Sequence, residues 1–307
     1  MLFLVLGLIY FILTIVVLLS VAFVTLIEQK VLGSMQIRLG PNKSGYWGVM
    51  QPFADAVKLF CKEVVLGSKF NFNFYLVSPW LSLSLALGLW LLYPMKMGGF
   101  DWSLGVFFFL CMSSLSVYPI FWGGWSSNCK YSMLGSLRGV AQVVSYEVSL
   151  AMILLSIMWV NSSLDFSVIF NNQIYIWSVV WGFPLCLVWL ASSLAEMHRT
   201  PYDFSEGESE LVSGFNTEYS GGGFTLIFMS EYTSIIFMAL VFSVLFLGGW
   251  VLWLGVKSVF IVVCYVWIRG SYPRFRYDKL MSLAWKSFLP VSMNMFVLYL
   301  SFNLLSI

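Results

Sequence analysis

Between Ala195 and Tyr219 the sequence reads AEMHRTPYDFSEGESELVSGFNTEY, which holds Glu196, Asp203, Glu206, Glu208, Glu210 and Glu218. The chain around this segment is 60% hydrophobic and only 10% charged. Carboxylates crowded beside a low-dielectric slab resist simultaneous ionisation, so this spacing suits the holding and passing of protons. A solvated acidic loop is the plainer reading, but Tyr202, Phe204, Leu211, Val212 and Phe215 make a poor composition for one. Two more acids fall where charge is expensive. Glu147 sits mid-span in RGVAQVVSYEVSLAMILL, where a carboxylate costs about 2.5–3.5 kcal/mol on insertion scales. Glu231 lies about two turns into a later apolar run.

The elements that must position these acids are membrane helices. Apolar runs of roughly 18 or more residues recur along the 307 residues, each long enough to cross about 30 Å of hydrocarbon. The mean hydropathy of +0.88 fits the same class. The expected fold is an all-α polytopic membrane protein, residues 1–307 forming a single integral membrane domain. About eight spans are expected: Met1–Ile27, Tyr75–Tyr93, Leu104–Gly124, Gly139–Val160, Tyr175–Ala195, Gly223–Leu247, Val251–Ile268 and Trp285–Leu305. The first run lacks a basic leader and a small-residue cleavage site, so it is expected to be retained as a helix.

Cations gather in alternate loops. Lys30, Arg38, Lys43, Lys58, Lys62 and Lys69 fall in the first, Lys130 and Arg138 in the third, Arg199 in the fifth, and Arg269, Arg274, Arg276 and Lys279 in the seventh. The even-numbered loops offer only Lys96. The positive-inside rule puts the odd loops on the inner side, which makes residues 196–222 an acidic inner-side loop and sends both termini outward. Within the first loop, Phe53, Val57, Phe60 and Val64 recur at helical spacing opposite Gln51, Asp55, Lys58 and Lys62. Residues 49–64 are therefore expected to form an interfacial amphipathic helix, with Pro52 in its first turn. It serves either as an anchor for the loop or as the lip of a site for an amphiphilic substrate.

Other residues carry plainer readings. Gln142, Ser145 and Ser149 share one face of their helix and Glu147 lies nearly opposite, so that helix belongs inside the bundle. A protonated Glu147 bonded to a neighbour would be a purely structural alternative. Glu28 ends the first span, where a carboxylate often marks only the interface. Lys257 either snorkels outward or pairs with a buried acid. His198, the single histidine, reads as a local hydrogen-bonding residue. Five scattered cysteines without a CxxC pair argue against a metal or iron–sulfur site built by this chain alone. The run Asp203–Glu210 lacks calcium-loop spacing, no phosphate-binding glycine motif is present, and a net charge of +2 points to no nucleic acid.

Four blocks carry a family resemblance: EQKVLGSMQIRLGPN at Glu28–Asn42 running on to QPFADAVKLFCKE, RGVAQVVSYEV at Arg138–Val148, the acidic block from Ala195, and YPRFRYDKLM at Tyr272–Met281. The chain resembles the subunit 1 family of NADH–ubiquinone oxidoreductase (respiratory complex I), in its mitochondrially encoded form. The resemblance implies an eight-helix subunit of the mitochondrial inner membrane beneath a peripheral redox arm. It implies a share of the ubiquinone-access tunnel and of the acidic path that couples quinone reduction to proton translocation. On that resemblance Glu147, Glu196, Asp203, Glu206, Glu208 and Glu231 fall in the proton path. Glu28, Arg38, Phe53, Phe224, Phe228 and Arg274 fall in or near the tunnel and its entrance. The partners implied are other membrane and peripheral-arm subunits, ubiquinone and membrane lipids. Flavin mononucleotide and iron–sulfur clusters would belong to partner subunits, so this chain is not catalytic alone.

Two positions depart from the family pattern. Gln29 stands where the family commonly has arginine, and His198 where it usually has asparagine. Three rival classes remain at this stage: a secondary transporter, a structural anchor and a hydrogenase-type membrane subunit. The lack of an internal repeat and of paired broken spans speaks against the transporter.

Overall fold

A computed structural model of the chain describes residues 2–64, 67–95, 102–205, 207, 211–249 and 253–306. The helices are α1 (Leu2–Met35), α2 (Gln51–Cys61), α3 (Phe72–Leu89), α4 (Gly105–Leu115), α5 (Val117–Ser126), α6 (Lys130–Asn161) and α7 (Phe166–Asn172). They continue with α8 (Ser178–Trp181), α9 (Phe183–Glu196), α10 (Gly221–Phe246), α11 (Leu254–Ser271), α12 (Tyr277–Leu283) and α13 (Leu289–Ser306). No strand occurs among the described residues. Glu206, Glu208 and Glu210 lie outside the described residues.

Seven helical runs among the described residues are long and apolar enough to cross a membrane. The expected fifth span, Tyr175–Ala195, is the one that differs. It is built as the single turn of α8 and the 14-residue α9. Gly182 closes the turn and Pro184 opens the next helix, because proline has no N–H to give to a preceding turn. Other boundaries move outward. α1 runs on past Glu28 to Met35, and α6 begins at Lys130, so Arg138 is helical and not part of a loop. Arg269 ends inside α11 and Lys279 lies in α12, which joins α13 through a π-helical stretch at Ala284–Phe288. Helix α2 covers Gln51–Cys61 of the expected 49–64, and Phe53, Val57 and Phe60 are exposed along it.

Helix α10 is the most enclosed span and packs on α3, α11, α1 and α2. Its end is closed by two side chains. Gln173 Nε2 donates to the Val244 and Leu245 carbonyls at 3.1 and 2.9 Å, and its Oε1 accepts the Gly248 N–H at 3.0 Å. Lys257 Nζ donates to the Leu247 and Gly248 carbonyls at 2.6 and 2.8 Å and stands 5.0 Å from the Trp177 ring. A cation at the negative end of a helix dipole is favourable. Lys257 thus takes a third course, bonding backbone carbonyls where snorkelling or an acid partner was expected.

Helix α6 supports the acidic segment by being nearly bare on one face. A Cβ at Gly135 would lie 2.9 Å from Gly214 Cα, and one at Gly139 would lie 3.1 Å from Ser205 Cβ. Small residues let backbone approach backbone closely, as they do between membrane helices. Gln142, fully buried, uses that closeness: its Nε2 donates to the carbonyls of Ala195 and Tyr202, each at 2.7 Å. At the segment's other end, Tyr219 stacks on Tyr75 with centroids 4.4 Å apart and shares a 2.7 Å hydrogen bond with Ser78. The Tyr75 hydroxyl donates to the Glu218 carbonyl at 2.9 Å.

Replacing Gly135 with valine puts two methyl groups where the Gly214 backbone already sits, a cost of about 1–3 kcal/mol or more from overpacking. Gly135→Val is expected to lower the amount of folded protein recovered from membranes and its melting temperature, read by detergent gel filtration and thermal unfolding.

Candidate functional site

The end of the bundle that carries the acidic segment holds a cavity and, beside it, a closed crevice. The larger, about 110 Å³, is lined by Glu196, His198, Ser116, Ser230, Glu231 and Ser234 among others, between α3, α5, α9 and α10. A narrow crevice then runs from Glu196 past Ser113, Val143 and Tyr146 to Glu147 on α6. Glu196 borders both. Glu231 and Glu196 therefore share one cavity, and Glu196 and Glu147 meet across a packed crevice with no room for water, so the three acids follow one another from α10 through the end of α9 to α6. The helical periods explain the alignment. On α10, Ser230, Glu231 and Ser234 fall on one face, and on α6 Val143, Tyr146, Glu147 and Leu150 do the same.

A second set of charges lies between α1, α10 and α11. Glu28 is 7% exposed, ion-paired with Arg269, and accepts the Tyr232 hydroxyl at 2.6 Å. It is a buried, partnered acid and no mere interface marker. The Arg199 guanidinium stands over the Tyr232 ring at 4.6 Å and reaches Glu231 at 3.5 Å. A small cavity of about 20 Å³ runs between Glu28, Arg199, Tyr232, Tyr265 and Arg269. Arg199 thus joins the charge set around Glu28 to the carboxylate line at Glu231.

A third junction ties the loop between α11 and α12 to the acidic segment. Arg274 approaches Asp203 at 3.7 Å, and the Phe275 N–H donates to the Pro201 carbonyl at 3.1 Å. The ring pairs Tyr202–Phe275 and Phe204–Tyr277, at 5.6 and 5.8 Å, pack the same seam. By contrast Arg276 and Asp278, 3.0 Å apart, are both well exposed, and such pairs contribute little.

The residues expected at an entrance divide. Phe224 and Phe228 lie 4.4 Å apart, and Phe228 continues to Tyr232 at 6.3 Å, so an aromatic ladder climbs α10 to Glu28. Phe53 on α2 meets Phe23 of α1 edge-on at 6.1 Å. Arg38 is exposed on the turn after α1, and among the described residues nothing ties it to this ladder. Arg274 belongs to the Asp203 seam. Tyr232, Arg199 and Arg269 complete the set, although none of the three stands out in the sequence as a site residue. Tyr232 follows Phe228 by four residues on an apolar helix, a spacing that could have flagged it. The pairing of Arg269 with Glu28 spans 241 positions and has no local signal.

His198 lies just beyond α9, in a left-handed backbone conformation with φ of 50°. Burial, reinforced by the neighbouring Arg199 charge, pushes its imidazole down to about 4. It is therefore neutral at physiological pH. Burial likewise raises the Tyr202 and Tyr219 phenols, which stay protonated.

Comparison with known proteins adds the family. The model described as NADH dehydrogenase matches residues 8–300. A relative from Aedes aegypti, named NADH-ubiquinone oxidoreductase chain 1, is 55% identical over 284 residues, covering 92% of this chain and 91% of its own length. The protein of the same name from Locusta migratoria is 52% identical over 298 residues, covering 96% and 95%. That from Balaenoptera physalus is 46% identical over 299 residues, covering 94% of each.

The His198 shift fixes a pH window. An unfolded imidazole titrates near 6.5, so between about 4 and 6.5 the unfolded chain binds a proton that the folded chain does not. Stability is complete above that window and falls as the pH drops through it. His198→Asn removes the term. Acid inactivation of the assembled complex between pH 7 and 4.5 should be shallower for the variant than for the native chain.

Proposed function

Because the chain belongs to the NADH dehydrogenase family and is a core membrane subunit of an NADH:ubiquinone oxidoreductase, we propose that its inner end couples quinone reduction to proton translocation. The observation that carries this reading is the succession of buried acids, Glu231 and Glu196 in one cavity and Glu196 and Glu147 across the closed crevice beside it. Ionisable groups inside a membrane domain, facing internal space and not lipid, mark ion and proton pathways. Asp203 joins the path through its seam with Arg274, and Glu206 and Glu208 belong to the same acidic segment.

In this reading the ladder Phe224–Phe228–Tyr232, with Glu28 at its end and Phe53 on the exposed face of α2, forms the wall and entrance of the ubiquinone tunnel. An apolar, aromatic wall suits a quinone ring and its hydrocarbon tail. The entrance here works without a cation at Gln29. Arg38 guards the mouth from the turn after α1. Reduction of the quinone consumes two protons and creates transient negative charge. The Glu28–Arg269–Tyr232–Arg199 set lies between that charge and Glu231, so a change at the quinone shifts the balance of Arg199 between Tyr232 and the carboxylate line. The acids along the line respond by taking up or releasing protons.

Topology completes the proposal. The cation-rich loops face the mitochondrial matrix and both termini face the intermembrane space, with residues 1–307 acting as one unit of the inner membrane. Helix α2 rests at the interface as the lip of the tunnel. The peripheral-arm subunits dock on the inner loops and hold the flavin mononucleotide and iron–sulfur clusters. Other membrane subunits continue the proton path, and lipid headgroups meet the exposed inner cations.

Two experiments test this reading. In the assembled complex in liposomes, Glu147→Gln is expected to reduce protons pumped per NADH oxidised. An unchanged rate and ratio would leave Glu147 a purely structural residue. A photoreactive quinone analogue is expected to label the Glu28–Val64 region or α10, and labelling confined to partner chains would remove the tunnel from this subunit.

A further inference from the structure

Buried polar groups in native proteins are almost always hydrogen-bonded, and leaving one without a partner is costly. In this chain several such orphans fall where the start of the acidic segment lies against α6. Gln142 Oε1, Glu196 Oε2, both ring nitrogens of His198, Thr200 Oγ1 and Ser205 Oγ are buried, and none has a hydrogen-bond partner among the described residues. Glu196, His198, Thr200 and Ser205 are close in sequence, Glu196 and His198 share a cavity wall, and Gln142 reaches the same segment from α6. Gln142 already holds the carbonyls of Ala195 and Tyr202, which fixes its amide and turns Oε1 away from them. A Cβ on Gly139 would touch both Ser205 Cβ, at 3.1 Å, and His198 Cε1, at 3.7 Å. The 110 Å³ cavity opens directly beside the group, with His198 and Glu196 in its wall.

Neighbouring orphans that do not bond one another call for a small ligand that both donates and accepts. Water is the chemistry that fits. A buried water makes two to four hydrogen bonds to otherwise unsatisfied groups, and the adjacent cavity has room for several molecules. We propose that this corner is a bound-water site organised by His198, and that its water links Glu196 to the inner end of the acidic segment through Ser205 and Thr200. The imidazole is suited to the centre of such a site because it presents one donor and one acceptor on opposite edges. With its pKa near 4 it carries no resting charge at neutral pH. It therefore orders water between Glu196 and the hydroxyls and stores no proton itself. His198 is a positioning residue in this scheme, and the site is a side branch from the Glu231–Glu196–Glu147 line toward the inner surface.

The inference rests on the proton-path reading above, and the test separates the two. In the assembled complex, His198→Leu removes both hydrogen-bonding edges and is expected to slow proton-coupled, inhibitor-sensitive turnover about tenfold. His198→Asn keeps a donor and an acceptor and is expected to restore turnover to within about twofold. Equal rates in the leucine and native complexes, while Glu196→Gln still abolishes pumping, would overturn the water site and leave the path intact. Full pumping with Glu196→Gln would overturn the path itself. If the leucine variant does not assemble, a high-resolution map of the native complex decides. Density for water within hydrogen-bond distance of a His198 ring nitrogen and of Glu196 or Ser205 is the expected result. Ring nitrogens held by a protein group, whether from residues 206–210 or another subunit, or a dry corner, would contradict it.

Discussion

The hydrogen bonds from Gln142 to the Ala195 and Tyr202 carbonyls tie the end of α9 and the start of the acidic segment to α6. One side chain of α6 satisfies the last turn of α9 and the loop that follows it, in a place water would otherwise have to fill. Such a clamp needs backbone at close range, and Gly135 and Gly139 provide it. With α9 stopped there, Glu196 borders the cavity on one side and the crevice on the other. A bulkier face on α6 would push the acidic segment outward and break the line of carboxylates.

Charge is distributed around the acidic segment in two ways. Glu28, Asp203 and Glu231 each face an arginine: Arg269, Arg274 and Arg199. Breaking a buried pair by removing one partner leaves an uncompensated charge, so these pairs fix α1, α10, α11 and the inner loops relative to one another. For Glu147 and Glu196 no cation stands within ion-pair distance among the described residues. Those two acids border the crevice between α6 and α9, where a change of protonation does not first have to dissolve an ion pair. The division gives the site a rigid charged frame around a pair of acids that can change state. Arg199 connects the halves, since it meets both the Tyr232 ring and the Glu231 carboxylate.

Much of this was legible in the residues. Long apolar runs specify spans because a helix in lipid must satisfy its own backbone. The acids at Ala195–Tyr219, Glu147 and Glu231 stand out for the same reason, as charge where solvation is poor. Parts of the fold were legible only in hindsight. The Gly135, Ser136 and Gly139 spacing is a close-packing signal that hydropathy does not register. The break at Gly182–Pro184 divides a run whose composition reads as one span. Pairings such as Glu28 with Arg269, or Gln173 with the end of α10, join distant segments, and no local pattern encodes them. Lys257 was misplaced because a lysine in a span suggests either water or an acid, whereas helix-end carbonyls serve it equally well.

In the proposed coupling, carboxyls of this subunit change protonation when quinone is reduced. Infrared difference spectroscopy of the assembled complex, recorded as quinone is reduced, reads this directly in the carboxyl C=O stretching region. The account predicts a difference band that disappears when Glu196 is replaced by glutamine. A spectrum in which that region is silent, or in which the band survives unchanged in Glu196→Gln and Glu147→Gln, would contradict it.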